Sequence, residues 1–218
     1  MTATLLTMGK IDLILESCVE TYEEAIKVES RGANRIELCS RLDLGGLTPS
    51  KELAKKLINE LNIPIKVMVR PRKGDFCYTD EEISQMHRDI LDFKSLGVFG
   101  VVFGVLRNNK SVNINVVNDL VSISNGMDIT FHKAIDDSID LLDAYKNLLS
   151  HTKITSVLTS GGAKSAILGY KTLRKMLNIK SERCRIIVAG SITHENLPEV
   201  HNLIGGFEYH GRRIIDIS

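Results

Sequence analysis

Two short apolar runs, LILESC (13–18) and RIELCS (35–40), each carry a glutamate and a cysteine two residues apart: Glu16 with Cys18, and Glu37 with Cys39. In an extended strand, residues i and i+2 share a face, so each run aims a carboxylate and a thiol the same way. Two thiolates make a soft donor pair suited to Cu(I). The same cysteines also fit plain packing, because free cysteine is among the most buried residue types. Glu16 and Glu37 are candidate general bases. His132, in TFHKAID, can move protons near neutral pH, with Asp136 beside it. Arg70 and Arg72, in VRPRKGDF, carry the guanidinium fork that grips a carboxylate or phosphate. Ser160, Gly161, Gly190 and Ser191 offer backbone N–H groups to an anion, and His210 ends the last apolar run. The candidate set is therefore Glu16, Glu37, His132 and Asp136 for proton transfer, Arg70, Arg72, Ser160, Gly161, Gly190, Ser191 and His210 for an anionic substrate, and Cys18 and Cys39 for a metal. The competing reading is a structural ion network, with Arg72 and Asp75 only bracing their own loop.

Side chains so distant in sequence meet only if strand ends converge. β-rich runs alternate with helical patterns along the whole chain. Strands are predicted at 13–18, 35–39, 64–70, 100–104, 128–132, 156–160, 185–190 and 206–210. In the stretch from 48, Thr48 reads as a helix cap followed by Pro49 at the first helical position. Further on, Thr79 and Glu82 form a capping-box pattern, and that helix stops at Gly97. Repeated strand–helix units give parallel βαβ structure. No G-x-G-x-x-G turn follows the first strand, which favours a closed (β/α)₈ TIM barrel over an open Rossmann sheet. One domain spans 1–218: a leader (1–12), a barrel core (13–210) and a short tail (211–218), with the eighth helix short or missing. In such a barrel the site forms at the carboxyl ends of the strands, where every candidate falls. Strand interiors read as Leu, Ile and Val. Glu208 and His210 share one face of the last strand, and Phe207 and Tyr209 the other. Lacking their own helix, the aromatics are predicted to be covered by the leader or a neighbouring subunit.

Composition removes several function classes. Lys plus Arg is 28 against 27 acids, so no strong field draws nucleic acid or an anionic membrane. Trp is absent and aromatics are 5%, which argues against a base-stacking surface. No apolar run approaches the ~20 residues that span a bilayer. The start, MTATLLTMGK, lacks the features of a secretion signal. Four scattered cysteines do not make a disulfide scaffold, so reduced thiols in the cytoplasm are expected.

The strings RIELC, GGLTPS, VRPRKGDFCYTDEE, GVVFGVL, TFHKAID and LTSG, in this order, closely resemble the CutC family, named as copper homeostasis proteins. The resemblance covers roughly 13–210. It implies a (β/α)₈ barrel, a cytoplasmic location and a role in copper handling, with the family's proposed Cu(I) ligands on Cys18 and Cys39. It places a polar mouth cluster on Glu16, Glu37, Arg70, Arg72, His132 and Asp136. Departures are Lys133 where the family usually has Arg, AGSIT after the seventh strand, EYHGRR at the eighth, and a shorter C-terminal segment. Two functions are carried forward: a copper-binding or trafficking protein, and an enzyme of unknown reaction acting on a small anionic metabolite. The expected partners are a copper ion or small anion and further copies of the chain (a dimer or tetramer), with no nucleic acid and no membrane.

Overall fold

The computed structural model describes residues 13–179 and 181–218, so the leader lies outside the described residues. Eight strands, β1 (Ile14–Val19), β2 (Arg35–Leu38), β3 (Ile65–Met68), β4 (Gly100–Phe103), β5 (Asp128–Phe131), β6 (Ser156–Thr159), β7 (Arg185–Val188) and β8 (Glu208–Gly211), close into a barrel in sequence order. Every neighbouring pair is parallel, including β8 with β1. Seven α-helices cover the outside: α1 (Tyr22–Ser30), α2 (Lys51–Glu60), α3 (Asp80–Leu96), α4 (Ile114–Ile123), α5 (Leu141–His151), α6 (Tyr170–Leu177) and α7 (Leu197–Ile204). No helix follows β8 among the described residues. The chain is a TIM barrel.

Local signals explain most element ends. Thr79 and Glu82 close the capping box that opens α3, and Gly97, at φ +82°, ends it. Thr48 is not a helix cap. Ser50 caps α2, while the Thr48 hydroxyl accepts from Arg70 N–H at 2.9 Å and ties the end of β3 to the preceding loop. Tyr209 needs no leader or partner subunit to cover it: it is fully buried, and its hydroxyl meets His201 Nδ1 of α7 at 2.9 Å. Phe207, by contrast, stays 66% exposed.

The main apolar core lies between the outward strand faces and the helices, with Ile36, Val67, Val101, Phe131 and Val188 packed against residues such as Leu57, Ile90 and Leu148. The barrel interior is not the aliphatic filling read from the sequence. Pleat alternation turns Glu16, Arg35, Lys66, Asp128, Arg185 and Glu208 inward, leaving only two small apolar clusters there. Buried charges are tolerable only when paired, and these alternate in sign. Arg35 joins Glu16 to Glu208, the latter at 2.8 Å. Arg185 joins Glu208, at 2.8 Å, to Asp128. Lys66, with no exposed surface, reaches Asp128 at 2.6 Å and Thr130 Oγ1 at 2.7 Å. Three acids and three bases form one continuous chain across the barrel floor.

Candidate functional site

Above this floor, the mouth is built from the carboxyl ends of β8, β1 and β2, which are adjacent. The register sets Glu16 beside His210, and Cys18 beside Glu37. His210 therefore sits between two carboxylates, with Nδ1 2.8 Å from Glu16 Oε1 and Nε2 3.3 Å from Glu37 Oε2. Burial opposes charge on this ring, but Glu37, Cys18 and Glu16 together hold its pKa well above the ordinary histidine value. Burial also works against ionisation of Glu16, yet the His210 hydrogen bond and the Lys66 and Arg35 charges keep it firmly ionised. A carboxylate so held is a counter-ion and not a base. Glu37 differs: burial, with the Cys18 and Glu16 charges, pushes it up to about 8 against the pull of His210 and Lys66.

The two thiols face each other, Cys18 Sγ to Cys39 Sγ at 3.7 Å, both buried. The bond donated by Cys39 lowers Cys18 to about 6 despite burial, with His210 helping. Donating that bond, together with burial, raises Cys39 well above the usual thiol range. The pair thus holds one thiolate and one thiol near neutral pH. Cys18, Cys39 and Glu37 form one group whose donor atoms lie within 4.8 Å of one another, and Glu16, Glu37 and His210 form a second.

Across the mouth, His132 follows β5 and fills the space that Gly104 leaves open. A Cβ at Gly104 would stand 2.6 Å from His132 Nδ1. That nitrogen accepts the Ala134 N–H at 3.1 Å, which fixes the proton on Nε2. Burial, then the Arg70 charge, pull His132 down to about 3, so the ring is neutral. Nε2 has no partner. Cys18, Glu37, Cys39, Arg70, His132 and His210 line one cavity of about 110 Å³, completed by Leu42, Gly45, Met68, Phe76, Lys133 and Leu158. Glu16 sits one layer below, under His210.

The remaining sequence candidates hold loops together. Arg72 is spent on Glu82 at 2.6 Å, Asp75 at 3.0 Å and the Cys77 carbonyl at 2.8 Å, the bracing role that competed with anion binding. Asp136 accepts from Lys133 Nζ at 2.7 Å, Ser160 N–H at 3.0 Å and Gly162 N–H at 2.8 Å. The Ser160 amide is thereby used, and Gly161 N–H goes to Thr159 Oγ1 at 2.9 Å. Gly190 packs against Ser160, where an added Cβ would come within 2.7 Å, and the Ser191 carbonyl accepts from Asn196 at 2.9 Å. None of Arg72, Asp136, Ser160, Gly161, Gly190 and Ser191 lines the cavity. Met68 and Leu158 were missed, although alternation back from Arg70 and Ser160 points to both. A larger groove of about 730 Å³ lies at the opposite end of the barrel, around Asn118, His151, Lys153 and Arg183. It gathers no cluster of chemically reactive groups.

Fold and site together define a class: a (β/α)₈ barrel whose mouth holds a thiol pair, a protonatable glutamate and two histidines of opposite charge preference. The CutC family model matches residues 13–215, and the chain belongs to that family. A human protein named copper homeostasis protein cutC homolog is 36% identical over 90% of this chain and 72% of its own length. A CutC family protein of Aliivibrio fischeri (strain MJ11) is 38% identical over 90% of this chain and 80% of its own length. A crystal structure of CutC from Streptococcus agalactiae superposes with a TM-score of 0.86 at 29% identity, covering 93% of this chain and 99% of that one.

Proposed function

We propose that the chain is a copper homeostasis protein that holds one Cu(I) as cargo between Cys18 and Cys39. The supporting observation is the sulfur pair, buried and 3.7 Å apart. Two sulfurs this close can reach one ion together after a modest widening of the pair. Soft thiolates select Cu(I) over hard divalent ions. Loading makes both sulfurs thiolates, so the Cys39 proton must leave. That proton passes to solvent, because Glu37, within 4.8 Å of both sulfurs, is pushed up to about 8 and is itself mostly protonated near neutral pH. The name of the human relative and that of the Streptococcus agalactiae structure, both of which speak of copper homeostasis, support the copper role. The reading assigns the protein to the cytoplasm, where thiols stay reduced. It also includes self-assembly into a dimer or tetramer, which sedimentation velocity decides. The test is competition for Cu(I) against a chromophoric chelator, comparing the wild type with Cys18→Ser/Cys39→Ser. The double variant is expected to lose high-affinity binding, and an unchanged affinity refutes the assignment.

A second reading, an enzyme acting on a small anionic metabolite, is favoured by the unpartnered buried Nε2 of His132 and Oε1 of Glu37 beside the same cavity. Orphaned buried polar atoms at a cavity call for a ligand. In this reading Arg70 holds the anion, and Glu37 and His132 exchange protons with it.

A further inference from the structure

One charge lining the mouth cavity, Arg70, has no counter-ion among the described residues. Arg70 is 7% exposed, yet its Nη atoms donate only to backbone carbonyls: Leu44 at 3.3 Å, Gly45 at 3.1 Å, Gly46 at 3.2 Å and Gly74 at 3.0 Å. By contrast, Arg35, Arg72 and Arg185 each reach two acids. No carboxylate pairs with Arg70 among the described residues, and neither its Nε nor the neighbouring Tyr78 hydroxyl makes a hydrogen bond of ordinary geometry. A buried guanidinium without a counter-ion is costly, and such groups are normally met by an anion.

The surroundings of Arg70 narrow the ligand. The guanidinium carbon of Arg70 lies over the Phe76 ring, 4.9 Å from its centroid, and that ring stands 5.0 Å from His132, centroid to centroid. Arg70, Phe76 and His132 thus form one wall, with two N–H donors lacking acceptors: Arg70 Nε and His132 Nε2. The facing walls include the apolar Leu42, Met68 and Leu158. At about 110 Å³ the space is far below the ~300–1,000 Å³ of drug-sized sites, which excludes nucleotides and sugar phosphates. Two free donors match the two oxygens of a carboxylate, whereas a phosphate brings more acceptors than the wall can satisfy.

We propose that the mouth cavity binds a short-chain carboxylate of roughly two to four carbons, with Arg70 as its counter-ion and His132 Nε2–H as second donor. The assignment rests on the second reading in seating an anion at the mouth, and it stands apart from the metal reading.

Thermal unfolding tests it, with acetate, L-lactate and inorganic phosphate titrated at constant ionic strength against chloride. For the wild type, acetate or lactate is expected to give a saturable rise of roughly 3–6 °C at ten times its dissociation constant, and phosphate none. Arg70→Gln loses the rise. Because Arg70 also ties loops, Leu42→Trp provides the second arm: it fills the cavity from its rim, leaves the Arg70 side chain in place, and loses the rise too. In the wild type the carboxylate response is expected to be the same with a strong Cu(I) chelator present, which separates it from copper binding. A response to phosphate alone overturns the ligand class while leaving an anion at the mouth. No saturable response to either anion overturns both the class and the anion reading, as does a carboxylate response retained in both Arg70→Gln and Leu42→Trp.

Discussion

Acidification from pH 7 to 5 ought to weaken the fold through His132 by ~2 kcal/mol, a cost that His132→Asn removes. The imidazole is 3% exposed, and its pKa is held down to about 3 by burial and then by the Arg70 charge. In the unfolded chain it titrates near ~6.5. The unfolded state therefore takes up the proton first, and stability present above ~6.5 is lost as the pH falls toward 3, at ~1.4 kcal/mol per unit. About 1.5 units of the step from pH 7 to 5 lie below the unfolded value, which gives the ~2 kcal/mol. Glu37, Cys18 and His210 also titrate abnormally, so the wild-type profile alone does not isolate His132. The variant does, because those groups are common to both chains. Asn also keeps an acceptor where Nδ1 receives the Ala134 N–H, so the following turn is preserved. Urea unfolding of both proteins at each pH supplies the double difference. Profiles that run parallel within ~0.5 kcal/mol refute the argument, as does an NMR titration of the His132 ring with a midpoint near ~6.5.

Two further outcomes follow from the packing. Lys66→Met strips Asp128 of its buried ammonium and leaves Thr130 and Ser156 without their donor. A loss of ~3–5 kcal/mol in urea unfolding is expected, and a loss under ~1 kcal/mol would show that the floor network is dispensable. Gly104→Ala drives a methyl group to within 2.6 Å of His132 Nδ1. It should cost ~1–3 kcal/mol and move the His132 ring resonances, and unchanged resonances would disprove the contact.

The barrel was legible because each strand carries a local pattern with period two and most helices carry a cap or glycine stop. The convergence of Cys18, Glu37, Cys39, Arg70, His132 and His210 on one cavity follows from the same alternation plus parallel closure. What each group does there was not legible, because it depends on partners far along the chain. Nothing near Asp136 in sequence announces that Ser160 and Gly162 will consume its oxygens. Thr48 has the residue type and the following proline of a helix cap. Its hydroxyl instead serves Arg70, 22 residues on, because the end of β3 needed tying down more than α2 needed a second cap. The polar floor was hidden for a different reason. Lys66 sits singly between Ile65 and Val67, and Arg35 and Glu208 stand at the starts of their strands, so none shows its partners until the eight strands are laid side by side.

Glu16 connects that floor to the mouth. Its two oxygens face opposite ways, one to Arg35 below and the other to His210 above. Glu37 lies at a similar depth one strand away, yet Arg35 pairs with Glu16 and Glu208 and leaves it none. Against burial, the His210 hydrogen bond, then the Lys66 and Arg35 charges, fix Glu16 as an anion, whereas Glu37 is pushed up to about 8 by its burial and by the Cys18 and Glu16 charges beside it. An anionic Glu16 in turn sustains a charged His210, whose other nitrogen reaches Glu37. The Cys39 hydrogen bond, with His210 helping, favours the thiolate of Cys18. The ion chain across the floor therefore acts on the mouth through Glu16 and His210, although none of its basic residues lines the cavity, while the two thiols divide their charge through their own hydrogen bond.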